Sequence, residues 1–183
     1  MVIAALVTVA LVAVGAYVGV RMLGARANQQ NGSGVPSRSV APAPGNAVPP
    51  PSKSAIKLPS QITDQSGVLT PLEYAAVDRA VTKLYNGRGT RLWVVYVKNF
   101  GGLKPFRWAE DTMLANNFTD SDAILAVATD EPAFSFRVPN AVITGKAIDL
   151  EIIRRDRIQP AVSHHEWARA AIAAANGLDV APS

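Results

Sequence analysis

Two short apolar runs dominate the pattern of hydrophobic and polar residues along this 183-residue chain. The first is RLWVVYV at residues 91–97, and the second is AILAVA at residues 123–128. Because a strand with one wet face alternates apolar and polar residues, unbroken runs of this kind indicate strands that are buried on both faces. Between them, Phe106, Ala109 and Met113 recur at helical spacing. The order strand, helix, strand predicts a βαβ crossover with two parallel strands.

Signals for a further strand and a helix precede the first buried run. Residues 62–67 are typical of a short edge strand that ends in a turn. The sequence TPLE at residues 70–73 is a capping box with proline at the first helical position, so it predicts the start of a helix. An apolar stripe continues through residues 74–84, and the Asn-Gly pair at 86–87 predicts the end of this helix.

The chain after the second buried run is predicted to form one more strand and two helices. Apolar and polar residues alternate over residues 134–138, which favours an antiparallel strand with one packed face. Residues 147–157 indicate a short, highly charged helix. The sequence SHHE at 163–166 matches a second capping box, opening an alanine-rich helix that ends at Asn-Gly, residues 176–177. The whole pattern predicts an α/β fold in which a mixed, mainly parallel sheet carries helices on both faces.

The N-terminal segment has the composition of a membrane-spanning helix. Residues 2–20 are apolar or small except for Thr8 and Tyr17, and nineteen residues are enough to cross a bilayer core of about 30 Å. We therefore predict a transmembrane segment within residues 1–22 and a single-pass protein of the cell membrane. The alternative is a signal peptide cleaved near Ala27, which leaves a secreted protein. Arg21 and Arg26 follow the span and no basic residue precedes it, which by the positive-inside rule favours a cytoplasmic domain.

A compositionally different segment, residues 23–58, separates this helix from the rest of the chain. It is rich in proline, glycine, serine and alanine, and it contains three consecutive prolines at residues 49–51. No hydrophobic period runs through it, so we predict a disordered spacer. The globular domain is predicted over residues 59–178, with a tail at 179–183.

Composition and motifs exclude several functional classes. The net charge of +4 comes from 18 basic residues scattered among 14 acidic ones, so a nucleic-acid partner is not expected. The chain has no cysteine, which excludes disulfides, thiolate metal sites and a cysteine nucleophile. His164 and His165 are adjacent, so they cannot bind one metal from the same helix face. The sequence contains no nucleophile elbow, phosphate loop or dinucleotide-binding glycine motif.

Three carboxylates remain as candidates for a chemical site. Asp64 lies in the turn before the first predicted helix, and Asp120 and Asp122 lie where the chain enters the second buried strand. If the two loops adjoin, three hard oxygen ligands can hold Ca²⁺ or Mg²⁺, and the ion can orient a phosphate. The alternative interpretation is that Asp64 stabilises its own turn and Asp120 caps a loop.

Basic residues complete the same hypothesis. Arg137 on the antiparallel strand and Arg155 in the charged helix are the candidates to hold a phosphate. The surrounding RRDR sequence at residues 154–157, with Asp149 and Glu151, can also clamp an anion. The simpler interpretation of this cluster is a set of ion pairs three and four residues apart on an exposed helix.

The order of these motifs resembles the TPM domain family, especially its actinobacterial membrane-associated members. The likeness covers about residues 59–178. Its motifs are ITDQSGVLT at residues 62–70, LWVVYV at 92–97, WA at 108–109 and DAILAVA at 122–128. The resemblance implies a three-layer α/β/α sandwich and an extracytoplasmic domain, which opposes the orientation given by the basic residues.

The resemblance also implies a role for the acidic residues. Asp64, Asp120 and Asp122 match family positions associated with divalent-ion binding and, in plant members, with acid phosphatase activity. This chain departs from the family pattern at Ala123, where a glycine is usual, and at residues 138–140, where VPN replaces a glycine-rich turn. Both changes fill space where the backbone would approach a ligand.

Two functions therefore stand as hypotheses. The first is a non-catalytic binding or scaffold module that is tethered to the membrane and acts in the maintenance of the envelope or of membrane proteins. Its partner is an unidentified membrane or envelope protein. The second is a divalent-metal-dependent phosphatase. The distance between Asp64 and Asp122 in the fold distinguishes them, because the second function needs both carboxylates at one ion.

Overall fold

The computed structural model describes residues 54–180, and its centre is one sheet of four strands. In both chain order and spatial order the strands are β1 (Ile62–Asp64), β2 (Arg91–Val97), β3 (Asp122–Ala128) and β4 (Ala133–Arg137). β1, β2 and β3 are parallel, and β4 is antiparallel to β3. This confirms the predicted mixed sheet, with the two apolar runs as its central pair.

Helices cover both faces of this sheet. They are α1 (Pro71–Arg88), α2 (Pro105–Ala115), α3 (Asn140–Ile143), α4 (Leu150–Ile152), a π-helix (Ile153–Ile158), α5 (Gln159–Ser163) and α6 (Trp167–Leu178). The single predicted helix over residues 147–157 is in fact the continuous series of α4, π-helix and α5. Proline at position 160 lacks an amide and its ring crowds the carbonyl four residues before it, which favours the wider π geometry just ahead of it.

The side chains of β2 and β3 are buried on both sides of the sheet. Leu92, Val94 and Tyr96 face the core formed with α1 and α6, whereas Val95 and Val97 face α2. Every residue of β3 is buried. These strands have no solvent-exposed face because a helical layer covers each side of the sheet, as the unbroken apolar runs predict.

The ends of α1 follow the predicted capping box but not the predicted C-cap. The Glu73 amide donates to Thr70 Oγ1 (3.3 Å), and the Thr70 amide donates to the Glu73 carboxylate (2.9 Å). The expected end at residues 86–87 is wrong, because Gly87 lies inside the helix. Gly89 ends it instead: its φ is +65°, and its amide donates to the Tyr85 carbonyl (2.8 Å).

The second predicted capping box, at residues 163–166, is also wrong. Ser163 is the last residue of α5, and α6 begins at Trp167 without a side-chain cap. The intervening residues close α5 in a Schellman pattern: His165 has φ +58° and donates to Val162 (3.0 Å), and Glu166 donates to Ala161 (2.8 Å). Backbone hydrogen bonds at the end of one helix therefore replace the side-chain cap expected at the start of the next.

Gly177, where the sequence predicts the end of the last helix, is still helical, and α6 ends one residue later at Leu178. A Cβ atom at this position would lie 2.8 Å from Cδ1 and Cγ1 of Ile153 and 2.9 Å from its Cγ2. Helix α6 passes so close to the start of the π-helix that only a hydrogen fits between them. The glycine that looks like a helix stop in the sequence is therefore a packing requirement.

Contacts of the domain extend past both of its predicted boundaries. Ile56 and Leu58 pack on the α2 side of the core. Asn116 joins them to the domain, since its amide donates to the Ile56 carbonyl (2.7 Å) and its oxygen accepts from the Leu58 amide (2.9 Å). At the other end, Asp179 forms ion pairs with two basic residues of α1. The last residues assigned to the spacer are thus part of the fold.

Within residues 54–180 no helix is both long enough and apolar enough to cross a membrane. The predicted span at residues 2–20 lies outside the described residues.

We predict that Gly177→Ala lowers the free energy of unfolding by about 1–2 kcal/mol, because the new methyl group meets the whole Ile153 side chain and this outweighs the gain in helix propensity. The matched control is Gly87→Ala, in α1, where a Cβ would lie 3.6 Å from its nearest neighbour. That variant should be neutral or more stable by up to about 1 kcal/mol. Urea denaturation measures both, and equal effects of the two substitutions would contradict the packing argument.

Candidate functional site

Asp64 and Asp122 lie at opposite ends of the sheet. Asp64 pairs with Tyr96 and so stands level with Val127, whereas Asp122 pairs with Arg91. Five residues of extended chain separate these levels, which is about 16 Å at 3.3 Å per residue. The condition for a shared metal site, that the two loops adjoin, is not met, because Asp64 ends β1 and Asp122 begins β3 in a parallel arrangement. Among residues 54–180, no three acidic, histidine or cysteine side chains are grouped to hold a metal ion.

The Asp64 carboxylate is bound to its own turn. Its Oδ1 accepts from the amides of Ser66 (3.2 Å) and Gly67 (2.8 Å), and its Oδ2 accepts from Leu69 (2.9 Å). These bonds hold the connection between β1 and α1, with Gly67 in the left-handed conformation at φ +65°. The geometry therefore supports the alternative interpretation of Asp64 as a turn residue.

The Asp122 carboxylate is almost completely buried, with 3% of the residue exposed. Its Oδ2 accepts from the Thr119 amide (2.8 Å) and hydroxyl (2.6 Å), and its Oδ1 accepts from Trp93 Nε1 (3.1 Å). Arg91 Nε lies 3.4 Å from Oδ1. Burial raises the pKa of Asp122, but the hydrogen bonds from Thr119 and Trp93 and the charge of Arg91 outweigh burial, so the pKa is lowered.

The third predicted ligand, Asp120, is exposed at the same end of β3. It lines a surface cleft of about 360 Å³ together with Glu110, Asn117 and Arg137. Asp120 and Arg137 therefore line the same cleft, although the sequence predicts the first as a metal ligand and the second as a phosphate ligand.

The two predicted phosphate-binding residues do come together. Arg137 and Arg155 line one cleft of about 480 Å³, which follows β4 between the first turn of α2 and the π-helix. Arg154 and Phe106 line it as well. Half of the Phe106 surface is exposed, so this cleft combines cationic side chains with an accessible aromatic ring.

Each arginine of this cleft has an acidic neighbour. Arg137 Nη2 lies 3.8 Å from Glu110, and Arg154 Nη1 lies 3.5 Å from Glu151. Arg155 Nε donates to Asp156 (2.6 Å), and this hydrogen bond raises the pKa of Arg155 and lowers that of Asp156. Exposed pairs of this kind are weak, so a stronger anionic ligand can replace them.

Sequence reasoning missed Phe106 and Arg154 as individual members of this cleft. Phe106 shares the helical spacing of Ala109 and Met113, yet it lies in the first turn of α2 and half of its surface is exposed, whereas Ala109 is fully buried. Arg154 was included only in a charged cluster. Its Nη2 donates to the Phe136 carbonyl (2.8 Å), a contact that depends on the position of β4 and has no signal in the local sequence.

We predict that Asp122→Ala lowers the free energy of unfolding by about 1–3 kcal/mol at pH 7, since the partly buried hydrogen bonds from Trp93 and Thr119 lose their acceptor. A pH series with Asp122→Asn tests the charge. The folded pKa is lowered, so the stabilisation is complete above the unfolded value of about 3.9 and is lost as the pH falls through the folded pKa. The difference between wild type and Asp122→Asn should therefore shrink below about pH 4. A difference that is constant from pH 7 to pH 3 would contradict this assignment.

Comparison with known proteins supports the family resemblance along most of the chain. The family model described as "TPM domain" matches residues 62–181. UPF0603 proteins from two strains of Mycobacterium tuberculosis, MT2410 and Rv2345, are each 41% identical over 140 residues. The match covers 76% of this chain but 20% of each relative, so the chain spans about a fifth of the length of these curated proteins.

Solved structures share the fold at low sequence identity. The N-terminal domain of the cg2496 protein from Corynebacterium glutamicum has a TM-score of 0.57 at 20% identity, covering 72% of this chain and 86% of that domain. The BA42 protein from Bizionia argentinensis has a TM-score of 0.54 at 15% identity, covering 63% of this chain and 81% of its own. The sheet order, the family match and the mycobacterial relatives agree, and the chain belongs to the TPM domain family.

Proposed function

We propose that this chain is a membrane-tethered, extracytoplasmic module that binds another protein of the membrane or envelope, supports its maintenance and catalyses no reaction. The observation that carries the proposal is the cleft along β4. It places Arg137, Arg154 and Arg155 beside the exposed ring of Phe106 at an open edge of the sheet.

The acidic residues give less support to a catalytic function. A phosphatase that uses one divalent ion would need ligands from both ends of the sheet, about 16 Å apart along the strands. The carboxylates of Asp64 and Asp122 are also engaged by hydrogen bonds within the domain. Their present arrangement stabilises loops, and this favours the binding function over the phosphatase.

The tethering part of the proposal rests on the sequence. Residues 2–20 have the length and composition of a membrane span, and residues 23–58 have the composition of a flexible spacer. The extracytoplasmic side follows from the resemblance to membrane-associated TPM proteins. A spacer of this length lets the domain reach partners away from the lipid surface.

We predict that a photoreactive benzoylphenylalanine in place of Phe106 gives discrete cross-linked adducts with membrane-associated proteins in a mycobacterial host. The matched control is the same replacement of Tyr85 on α1, an aromatic residue with 49% of its surface exposed against 50% for Phe106. Adducts should form from position 106 and not from position 85. Adducts of equal yield at the two positions, or none at position 106, would contradict a binding role for the cleft.

The absence of cysteine allows a direct test of the location. Leu72→Cys places a thiol at a position that is 76% exposed, and Ala109→Cys places one at a fully buried position. A membrane-impermeant maleimide should label Cys-substituted position 72 in intact spheroplasts, whereas position 109 should react only after denaturation. Labelling of position 72 that requires cell lysis would place the domain in the cytoplasm and contradict the proposal.

A further inference from the structure

We infer that the free edge of β4 binds an extended, acidic segment of another protein as a fifth strand of the sheet. The inference rests on the proposed binding function and adds to it the way of binding and the chemistry of the partner. Strand addition of this kind uses main-chain hydrogen bonds for affinity and side-chain contacts for specificity.

The hydrogen-bond pattern of the sheet leaves part of the β4 backbone facing outwards. The Thr129 amide donates to the Val97 carbonyl (2.9 Å), so odd-numbered residues along β3 bond to β2 and even-numbered ones bond to β4. The register pairs those even-numbered residues with residues 133, 135 and 137. The amides and carbonyls of Phe134 and Phe136 therefore point away from β3 and into the cleft.

One of these outward groups already has a substitute partner. Arg154 donates to the Phe136 carbonyl from Nη2 (2.8 Å) and from Nε (3.3 Å), the position that an amide of a neighbouring strand would take. Within residues 54–180, no hydrogen bond is made to the amide of Phe136 or to the amide and carbonyl of Phe134. An incoming strand can bond to these three groups and, by donating to the Phe136 carbonyl in place of Arg154, free Arg154 to bind a carboxylate.

The edge lies at the floor of a groove with a wall on each side. Pro105 and Phe106 of α2 form one wall, and Arg154, Arg155 and Gln159 form the other. A volume of about 480 Å³ is sufficient for a few residues of extended chain. An exposed sheet edge can pair with other chains unspecifically, and proteins usually shield such edges. The two walls restrict access to the β4 edge, so only a strand that fits between them can bind.

The charge of the groove identifies the partner. Arg137, Arg154 and Arg155 line it, and their acidic neighbours Glu110, Glu151 and Asp156 form only exposed ion pairs with them, which a carboxylate in the groove can replace. An extended peptide directs alternate side chains to opposite walls. Arg154 and Arg155 lie on the π-helix wall, and Arg137 extends from β4 towards Glu110 of α2, on the other side. Acidic side chains on the added strand therefore find bidentate partners, which give both affinity and selectivity.

Charge also argues against the two nearest sources of a strand. The first acidic residue of this chain is Asp64, so residues 1–53 offer no carboxylate, and their prolines lack the amides that a ladder needs. A second copy of β4 would bring its own Arg137 into a groove that is already cationic. The occupant that fits is an acidic segment of a different protein.

The test measures binding of a fluorescent, end-capped hexapeptide of alternating Glu and Val to the full chain in non-ionic detergent, by fluorescence anisotropy. Two isomers that are N-methylated on alternate amides each block one edge of the peptide. The isomer blocked on the bonding edge should lose at least tenfold in affinity, and the other should lose much less. A Lys-Val peptide should not bind, and hydrogen exchange of residues 133–137 should slow when the acidic peptide is added.

Two arginine variants provide the control for charge. Arg155→Glu should weaken binding at least tenfold, whereas Arg157→Glu, the same change on the same π-helix outside the groove lining, should change it by no more than about twofold. No binding at millimolar peptide, or equal losses for the two variants, would overturn the inference. Equal affinity of the two N-methylated isomers and the unmodified peptide would overturn strand addition. The proposed binding function is tested separately, by the cross-linking from position 106.

Discussion

The pairing of β2 with β3 is the constraint on which the rest of this fold depends. Seven residues of each strand pair in parallel, and the residues of β3 are buried without exception. A parallel pair of this kind needs a crossover helix and apolar cover on both faces. Helix α2 supplies the crossover on one face, and α1 with α6 supplies the cover on the other. Only the strand ends and the two outer strands are then left accessible for binding.

Polar groups at the strand ends serve mainly to hold the loops. Asp64 gathers three backbone amides after β1, and Asp122 binds the Thr119 loop and the Trp93 ring before β3. A buried carboxylate is costly unless its hydrogen bonds are satisfied, and both carboxylates have several donors. The metal hypothesis needs Asp64 and Asp122 at one ion, but the sheet holds them at opposite ends, where each carboxylate is bound to its own loop.

The second outer strand is where the domain offers free hydrogen-bonding groups. β4 has five residues between prolines 132 and 139, and its outward side faces the π-helix rather than another strand. The π-helix is the element that gives this edge its charge, since Arg154 and Arg155 both belong to it. π-Helical segments are rare and are frequent at functional sites, which agrees with the role we propose for this cleft.

The sequence by itself determined the architecture, because the hydrophobic pattern that marks a strand or helix is a local property. The runs at residues 91–97 and 123–128, the crossover helix and the alternating strand at 134–138 all lie where the pattern predicted them. Only the tertiary structure decided which polar residues meet. The parallel direction of β1 and β3 separated Asp64 from Asp122, and the position of β4 at the sheet edge brought Arg137 to Arg154 and Arg155. Likewise, the sequence predicts Gly177 as a helix end, whereas in the fold it is the residue of α6 that packs against Ile153. This role depends on Ile153, a residue distant along the chain. Contacts between distant segments follow from strand order and direction, which no local pattern encodes.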